Sequence, residues 1–174
     1  MITGCSREQS YIDGAMDLRN SLLKSKGCSF RALIYADYSD AIYEFTLDCE
    51  MDSSGSLRFS VASPDSISGI CGIMDQTRSA IVFDDTVLAF PPLADGLITP
   101  VAAPWVVMKA MRGGYIHSCG TWEKGYQIQF DDTYEQAQAQ VDVYTDADYI
   151  PVSAEILWRG SRILSLSIEN FTFL

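Results

Sequence analysis

Apolar residues recur every three or four positions at the start of the chain, and from Cys28 onward they recur mostly every second position. Over residues 9 to 25 (QSYIDGAMDLRNSLLKS), Ile12, Met16, Leu18, Leu22 and Leu23 fall at helical spacing. Gly27 follows as a stop, which predicts an amphipathic N-terminal helix. The period of two then predicts a hairpin from Cys28 to Cys49 and a third strand, SLRFSVAS, completing a meander. In PDSISGICGIM, Ile67, Ile70, Ile73 and Met74 stand three or four apart, so a short helix or helical turn lying over the sheet is expected there. SAIVF, the turn DDT and VLAF form a further hairpin, and APWVVMKAMRGG forms a second helix carrying Trp105, Met108 and Met111. The C-terminal third reads as an unbroken meander with turns at KG, DDT, DAD and RGS. The expected fold is mainly β: a curved antiparallel sheet of about ten strands with two or three helices, curling toward a barrel.

The first hairpin predicts its own register. Centring the turn on Tyr38-Ser39 pairs Phe30 with Leu47, Ala32 with Phe45 and Ile34 with Tyr43 on one face, and Arg31 with Thr46 on the other. The same register sets Cys28 opposite Cys49, which makes these two the candidates for a cross-strand disulfide.

At 174 residues the chain has the length of one domain. Its formal charge of −11, with twelve scattered Lys and Arg, argues against nucleic acid as a partner. The five cysteines show no zinc-type spacing; with Cys5 set aside, the other four form two bridges in any of three pairings or remain buried thiols.

Candidate chemistry is sparse. His117, the single histidine, lies in a strand pattern two residues from Cys119, an arrangement that does not make a catalytic dyad. The carboxylate pairs Asp84-Asp85, Asp131-Asp132 and Asp146/Asp148 fall at hairpin tips, where Asp is favoured by its own turn hydrogen bonds. No calcium loop, phosphate loop or nucleophile elbow occurs. No enzyme activity, metal or cofactor is expected. Phe30, Phe45, Phe59, Phe83, Phe130 and Trp158, with Met108 and Met111, are the candidates to line an apolar cavity, a filled core being the alternative for the same side chains.

The order of these elements resembles the LolA-like lipoprotein-sorting family. The likeness lies in the N-terminal helix, CSFRA, YEFTLDC, GSLRFSVASP, SAIVFDDTVLAF, the mid-chain helix and the closing IPVSAEILWRGSRILSLSIENFTF, from about residue 9 to the end. It implies an incomplete barrel whose open side is covered by helices and whose cavity takes a lipid or a lipoprotein acyl chain without chemistry. Arg31 and Arg58 are the candidates by position for the arginine that closes the family's lid. With that resemblance, ITGC fits a bacterial lipobox, predicting an export signal removed before a lipidated Cys5 and a tether over residues 1–8. The expectation is a monomeric lipoprotein outside the cytoplasm, anchored to the cell membrane, binding a lipid or acyl chain and possessing a single domain over 9–174. A ligand-free protein-interaction domain on the same scaffold is the alternative.

Overall fold

The first and last strands of the chain pair at the middle of one sheet. The structure is a computed structural model that describes residues 5–38, 41–84, 86–90, 93–94, 97–131 and 139–174, with positions 5–8, 93–94 and 97 described in backbone only. The helix α1 (Cys5–Lys24) leads into β1 (Gly27–Asp37), β2 (Ile42–Asp52) and β3 (Leu57–Ser63). Then come β4 (Cys71–Met74), β5 (Ser79–Phe83) and β6 (Thr86–Ala89), followed by a short ribbon, β7 (Leu93–Ala94) and β8 (Leu97–Ile98). The helix α2 (Ala103–Gly113) precedes β9 (Tyr115–Trp122), β10 (Gly125–Asp131), β11 (Ala139–Asp146), β12 (Pro151–Trp158) and β13 (Ser161–Phe173). Among the described residues, eleven strands form one antiparallel sheet in the order β6-β5-β4-β3-β2-β1-β13-β12-β11-β10-β9. The sheet is curved and does not close, and both helices lie on its inner face. This is the expected mainly-β incomplete barrel.

Alternation along each strand sorts the chain into a helix-covered face and an outer face. On β1, Phe30, Ala32, Ile34 and Ala36 are buried while Arg31, Leu33 and Tyr35 point out. Their partners Leu47 and Cys49, then Phe59 and Val61, continue the buried face across β2 and β3. From the other half, Leu164, Leu166, Ile156, Ala154, Val141, Val143, Ile128 and Phe130 complete it. α1 covers this face with Ala15, Leu18 and Leu22; α2 does so with a broad side that includes Val107, Met108 and Met111 and leaves Lys109 and Gly113 exposed. Burying each such Leu, Met or Phe contributes about 1.5–3 kcal/mol.

Four sequence expectations are corrected. The helix α1 begins at Cys5, four residues before the predicted start, and Met16 and Leu23 lie on its exposed side while Ala15 takes an inward position. The β1–β2 register is shifted by two residues: Phe30 faces Cys49, Ala32 faces Leu47, and Arg31 faces Asp48. An even slip leaves every side chain on its face, so apolar pattern alone does not distinguish the two registers. The opposed Arg31–Asp48 ion pair, with Nε–Oδ1 at 2.7 Å, favours the observed one. Third, Cys28 therefore faces Met51, not Cys49. The two cysteines stand on a cross-strand diagonal, where Cα atoms are about 7–8 Å apart, beyond ordinary disulfide reach, and both are free thiols. Finally, of the segment 64–74, expected as a short helix or helical turn, only Asp65–Ile67 forms such a turn, a 3-10 one, and Cys71–Met74 is the strand β4. Gly69 turns the chain at φ +86, and Gly72 lets it return against Phe59, whose ring would stand 2.3 Å from any Cβ at that position.

Candidate functional site

The inner face gathers most of the side chains nominated from sequence. Phe30, Phe59, Met108, Met111 and Phe130 are buried in one core cluster, and Phe45 and Trp158 pack against its edge. Phe83 is not among them: it stands beyond the helices' cover and is 55% exposed. Phe30 stacks on Phe171 at 5.8 Å between ring centroids, and Phe171 meets Phe173 edge-on at 5.3 Å. Strict alternation from Leu164, Leu166 and Ile168 puts Phe171 and Phe173 on the outer face. Instead, β13 carries a bulge where Asn170 adopts φ 54, and the face inverts after it. An Asn followed by two alternating aromatics, ENFTF, was the only sequence signal of this inversion.

The two helices are clasped to one another by arginines. Arg19 of α1 donates from Nε to the Met111 carbonyl (2.9 Å) and from Nη2 to the Gly114 carbonyl (2.6 Å), and its guanidinium lies 5.7 Å from the Phe130 ring centroid. Arg112 of α2 donates from Nη1 to the Leu22 carbonyl (3.2 Å) and from Nη2 to the Ser53 carbonyl (2.7 Å). Each helix thus satisfies carbonyls at the C-terminal end of the other, where the helix dipole favours a cation. Arg31 and Arg58, the positions suggested by resemblance for closing the lid, are on the outer face instead; Arg31 is engaged with Asp48.

Outside this core, the structure offers grooves and one apolar arm. A groove of about 660 Å3 lies among Arg31, Asp48, Arg58, Ser60 and Cys71, and another of about 580 Å3 among Tyr35, Glu44, Tyr144 and Glu155. Both open on the polar outer face. The hairpin β5–β6 presents apolar residues to solvent from both its faces: Val82 and Val87 on one, Phe83 and Leu88 on the other, at 39 to 66% exposure. Its turn residue Asp84 has φ 46, and Asp85 lies outside the described residues.

The remaining polar candidates are tied to turns and strand surfaces. Asp146 Oδ1 accepts from the backbone N–H of Asp148 and of Ile150, both at 2.9 Å, so it builds the β11–β12 turn. His117 is an exposed strand residue with Nδ1 3.3 Å from Asp131 Oδ2, and Asp132 lies outside the described residues. Among the described residues no cluster of His, Cys, Asp and Glu is arranged to hold a metal ion, and no helix is long and apolar enough to cross a membrane.

No family model matches the sequence, and no curated protein matches it. Similarity is found in solved structures. The complex of the CwlD amidase with the GerS lipoprotein from Clostridioides difficile matches over 94% of this chain and 95% of the matched chain, at 11% identity and a TM-score of 0.51. MucB matches over 98% of this chain and 60% of its own, at 8% identity and a TM-score of 0.50. A LolA superfamily protein from Nitrosomonas europaea matches over 96% of this chain and 93% of its own, at 9% identity and a TM-score of 0.47. The fold is LolA-like: an unclosed eleven-stranded sheet with two helices on its inner face. At such identities the likeness concerns the fold alone.

Proposed function

We propose that this chain is a non-catalytic binding domain working outside the bacterial cytoplasm, where its β5–β6 arm docks a protein partner. The observation that carries this reading is the contrast between two apolar surfaces. Phe30, Phe59, Met108, Met111 and Phe130 are spent on packing with the helices, whereas Val82, Phe83, Val87 and Leu88 are displayed to water on one hairpin. Apolar side chains grouped on a protruding element are a feature of contact surfaces. GerS, whose structure is known in complex with the CwlD amidase, is a precedent for this fold meeting another protein.

The anchor is part of the proposal. ITGC supports removal of Met1 to Gly4 with an export signal and lipidation of Cys5, a residue whose side chain lies outside those described. A single acyl chain binds a membrane only weakly, so a stable anchor takes a second signal, and in this acidic chain a further chain on Cys5 would supply it.

A second reading, uptake of an acyl chain, has one observation in its favour. The buried face under α2 is rich in Phe and adaptable Met, and the helices over it are held by the two arginine clasps. Movement of α2 would uncover a site for methylenes, each contributing about 0.8 kcal/mol, with Phe45 and Trp158 at its rim.

Photo-cross-linking separates the two. A benzoylphenylalanine at position 83 is expected to capture one protein in the living cell, whereas the same group at Met16, exposed on α1, captures none. Leu88→Glu should abolish the capture without changing the melting temperature. No capture at position 83, together with lipid co-purifying in native mass spectrometry of protein prepared without detergent, would overturn docking in favour of acyl-chain uptake.

A further inference from the structure

Resting on the docking reading above, we infer that the partner enters as an added β-strand along the open edge of β6, and that this strand is an apolar run flanked by basic residues.

The sheet has two edges, and they are guarded unequally. At β9, His117 forms a bulge between Ile116 and Ser118, and α1 packs alongside. Bulges, charges, prolines and covering helices are the usual protections of an edge against strand pairing. The other edge, β6, is Thr-Val-Leu-Ala: it has no charge, proline or bulge, all four residues are exposed, and among the described residues no strand pairs with its far side.

The backbone of β6 is presented for pairing. Phe90 N–H donates to the Ser79 carbonyl at 3.1 Å, which marks Ser79 and Phe90 as a hydrogen-bonded pair. Antiparallel alternation then makes Ile81–Leu88 and Phe83–Thr86 the next such pairs. The N–H and C=O groups of Val87 and Ala89 therefore point away from β5, two donors and two acceptors in strand register.

The surroundings select the occupant. An incoming strand runs beside Val87 on one face and Leu88 on the other, with Val82 and Phe83 one strand further in. It gains apolar neighbours on both faces, so consecutive rather than alternating apolar residues suit it. Asp84 at the hairpin tip and the net charge of −11 favour Lys or Arg at its ends and disfavour a second copy of this acidic chain.

The test uses the whole chain with 15N labelling and the peptide acetyl-Lys-Lys-Val-Ile-Val-Ile-Lys-Lys-amide at about 1 mM. Hydrogen exchange at the Val87 and Ala89 amides should slow by about tenfold or more, with the β5-facing amide of Leu88 little changed. The same peptide with Glu in place of its four lysines should bind about tenfold more weakly. Ala89→Pro removes one outward N–H without touching the β5 ladder, a position where edge strands tolerate proline; it should abolish the protection while the protein melts as before. Free exchange at Val87 and Ala89 with peptide present, or equal binding of the Glu-flanked peptide, overturns the inference. So does a dimer in sedimentation that Ala89→Pro dissolves, since the occupant is then a second copy. A cross-link at position 83 that survives Ala89→Pro but not Leu88→Glu overturns strand addition and leaves docking standing; one that never forms removes both.

Discussion

Gly14 of α1 lies directly against the ring of Tyr149: a Cβ at position 14 would fall 2.1 Å from Tyr149 Cζ and 2.3 Å from its hydroxyl oxygen. The ring has little room to yield. It stacks on Tyr126 at 4.1 Å with 9° between the planes, and Tyr149 holds φ 61 in the turn built by Asp146. In an ordinary exposed helix Gly→Ala gains about 1 kcal/mol. Here the added methyl overpacks the contact, at a cost of about 1–3 kcal/mol, so Gly14→Ala should lower the melting temperature. With Tyr149→Ala alongside, the same change should become neutral or stabilising, and a double-mutant cycle in urea measures the reversal. Additive effects would mean that α1 does not depend on this close approach.

The arginine clasps predict a second result. Arg19→Ala removes two hydrogen bonds from a charged donor to carbonyls at the end of α2, and Arg112→Ala removes one to the Leu22 carbonyl of α1 and one to the Ser53 carbonyl between β2 and β3. Each change should destabilise by about 1.5–3 kcal/mol and raise hydrogen exchange in the helix whose carbonyls lose their partner. Lysine lacks the planar fork that reaches both carbonyls, so Arg19→Lys should recover only part of the loss. Under the acyl-chain reading, Arg19→Ala should also increase uptake of a fluorescent fatty acid; under the docking reading it leaves the β5–β6 cross-link unchanged.

The β4–β5 turn carries a pH prediction. Asp75 Oδ1 accepts from Thr77 Oγ1 (2.6 Å), from Thr77 N–H (2.8 Å) and from Arg78 N–H (3.0 Å). These bonds, the Thr77 hydroxyl foremost, hold its pKa down at about 2. An unfolded Asp titrates near 3.9. The folded value is depressed, so this turn's stabilisation is complete above about pH 4 and is lost as pH falls through about 2. A carboxyl 13C titration should place the Asp75 midpoint near 2, and Thr77→Ala should raise it. A midpoint near 4 in the unaltered chain would mean that the Thr77 bond does not form in solution.

Much of the fold was legible because period two, once begun at Cys28, continues through strands whose outer face stays polar: Arg31, Asp48 and Ser60 lie in one row across β1, β2 and β3. The errors fall where apolar pattern carries no information. A two-residue slip of β1 on β2 preserves every face, so pattern did not exclude the pairing of Cys28 with Cys49. Ile67, Ile70, Ile73 and Met74 have helical spacing, yet Gly69 and Gly72 decide their backbone. The inversion at Asn170 conceals Phe171 and Phe173 behind a bulge, and the clasps of Arg19 and Arg112 connect residues about ninety positions apart through carbonyls that side-chain pattern does not report. Phe83 shares the face of Ile81, which packs against the core, yet stands exposed at the end of the β5–β6 arm, and alternation along β5 does not report where the cover ends.

The thiols supply the last prediction, and it bears on compartment. Burial pushes the Cys28 thiol up to about 12, against a smaller opposing pull from Arg112. Burial also raises Cys49, helped by the nearby charge of Asp48. Because a raised pKa reduces the thiolate at a given pH, and each unit is a factor of ten, Cys28 at pH 8 should carry about a thousandfold less thiolate than at its ordinary value of 9. Cys71 is exposed. Iodoacetamide at pH 8 should therefore modify Cys71 in the folded chain and leave Cys28 and Cys49 untouched until guanidinium unfolds it. The decisive measurement is made on protein prepared from the cell envelope without reductant. Labelling of Cys28 and Cys49 on unfolding alone agrees with the diagonal register and free thiols. Labelling that requires dithiothreitol would mean that an oxidising compartment has joined them, and that β1 and β2 move by two residues to let it happen.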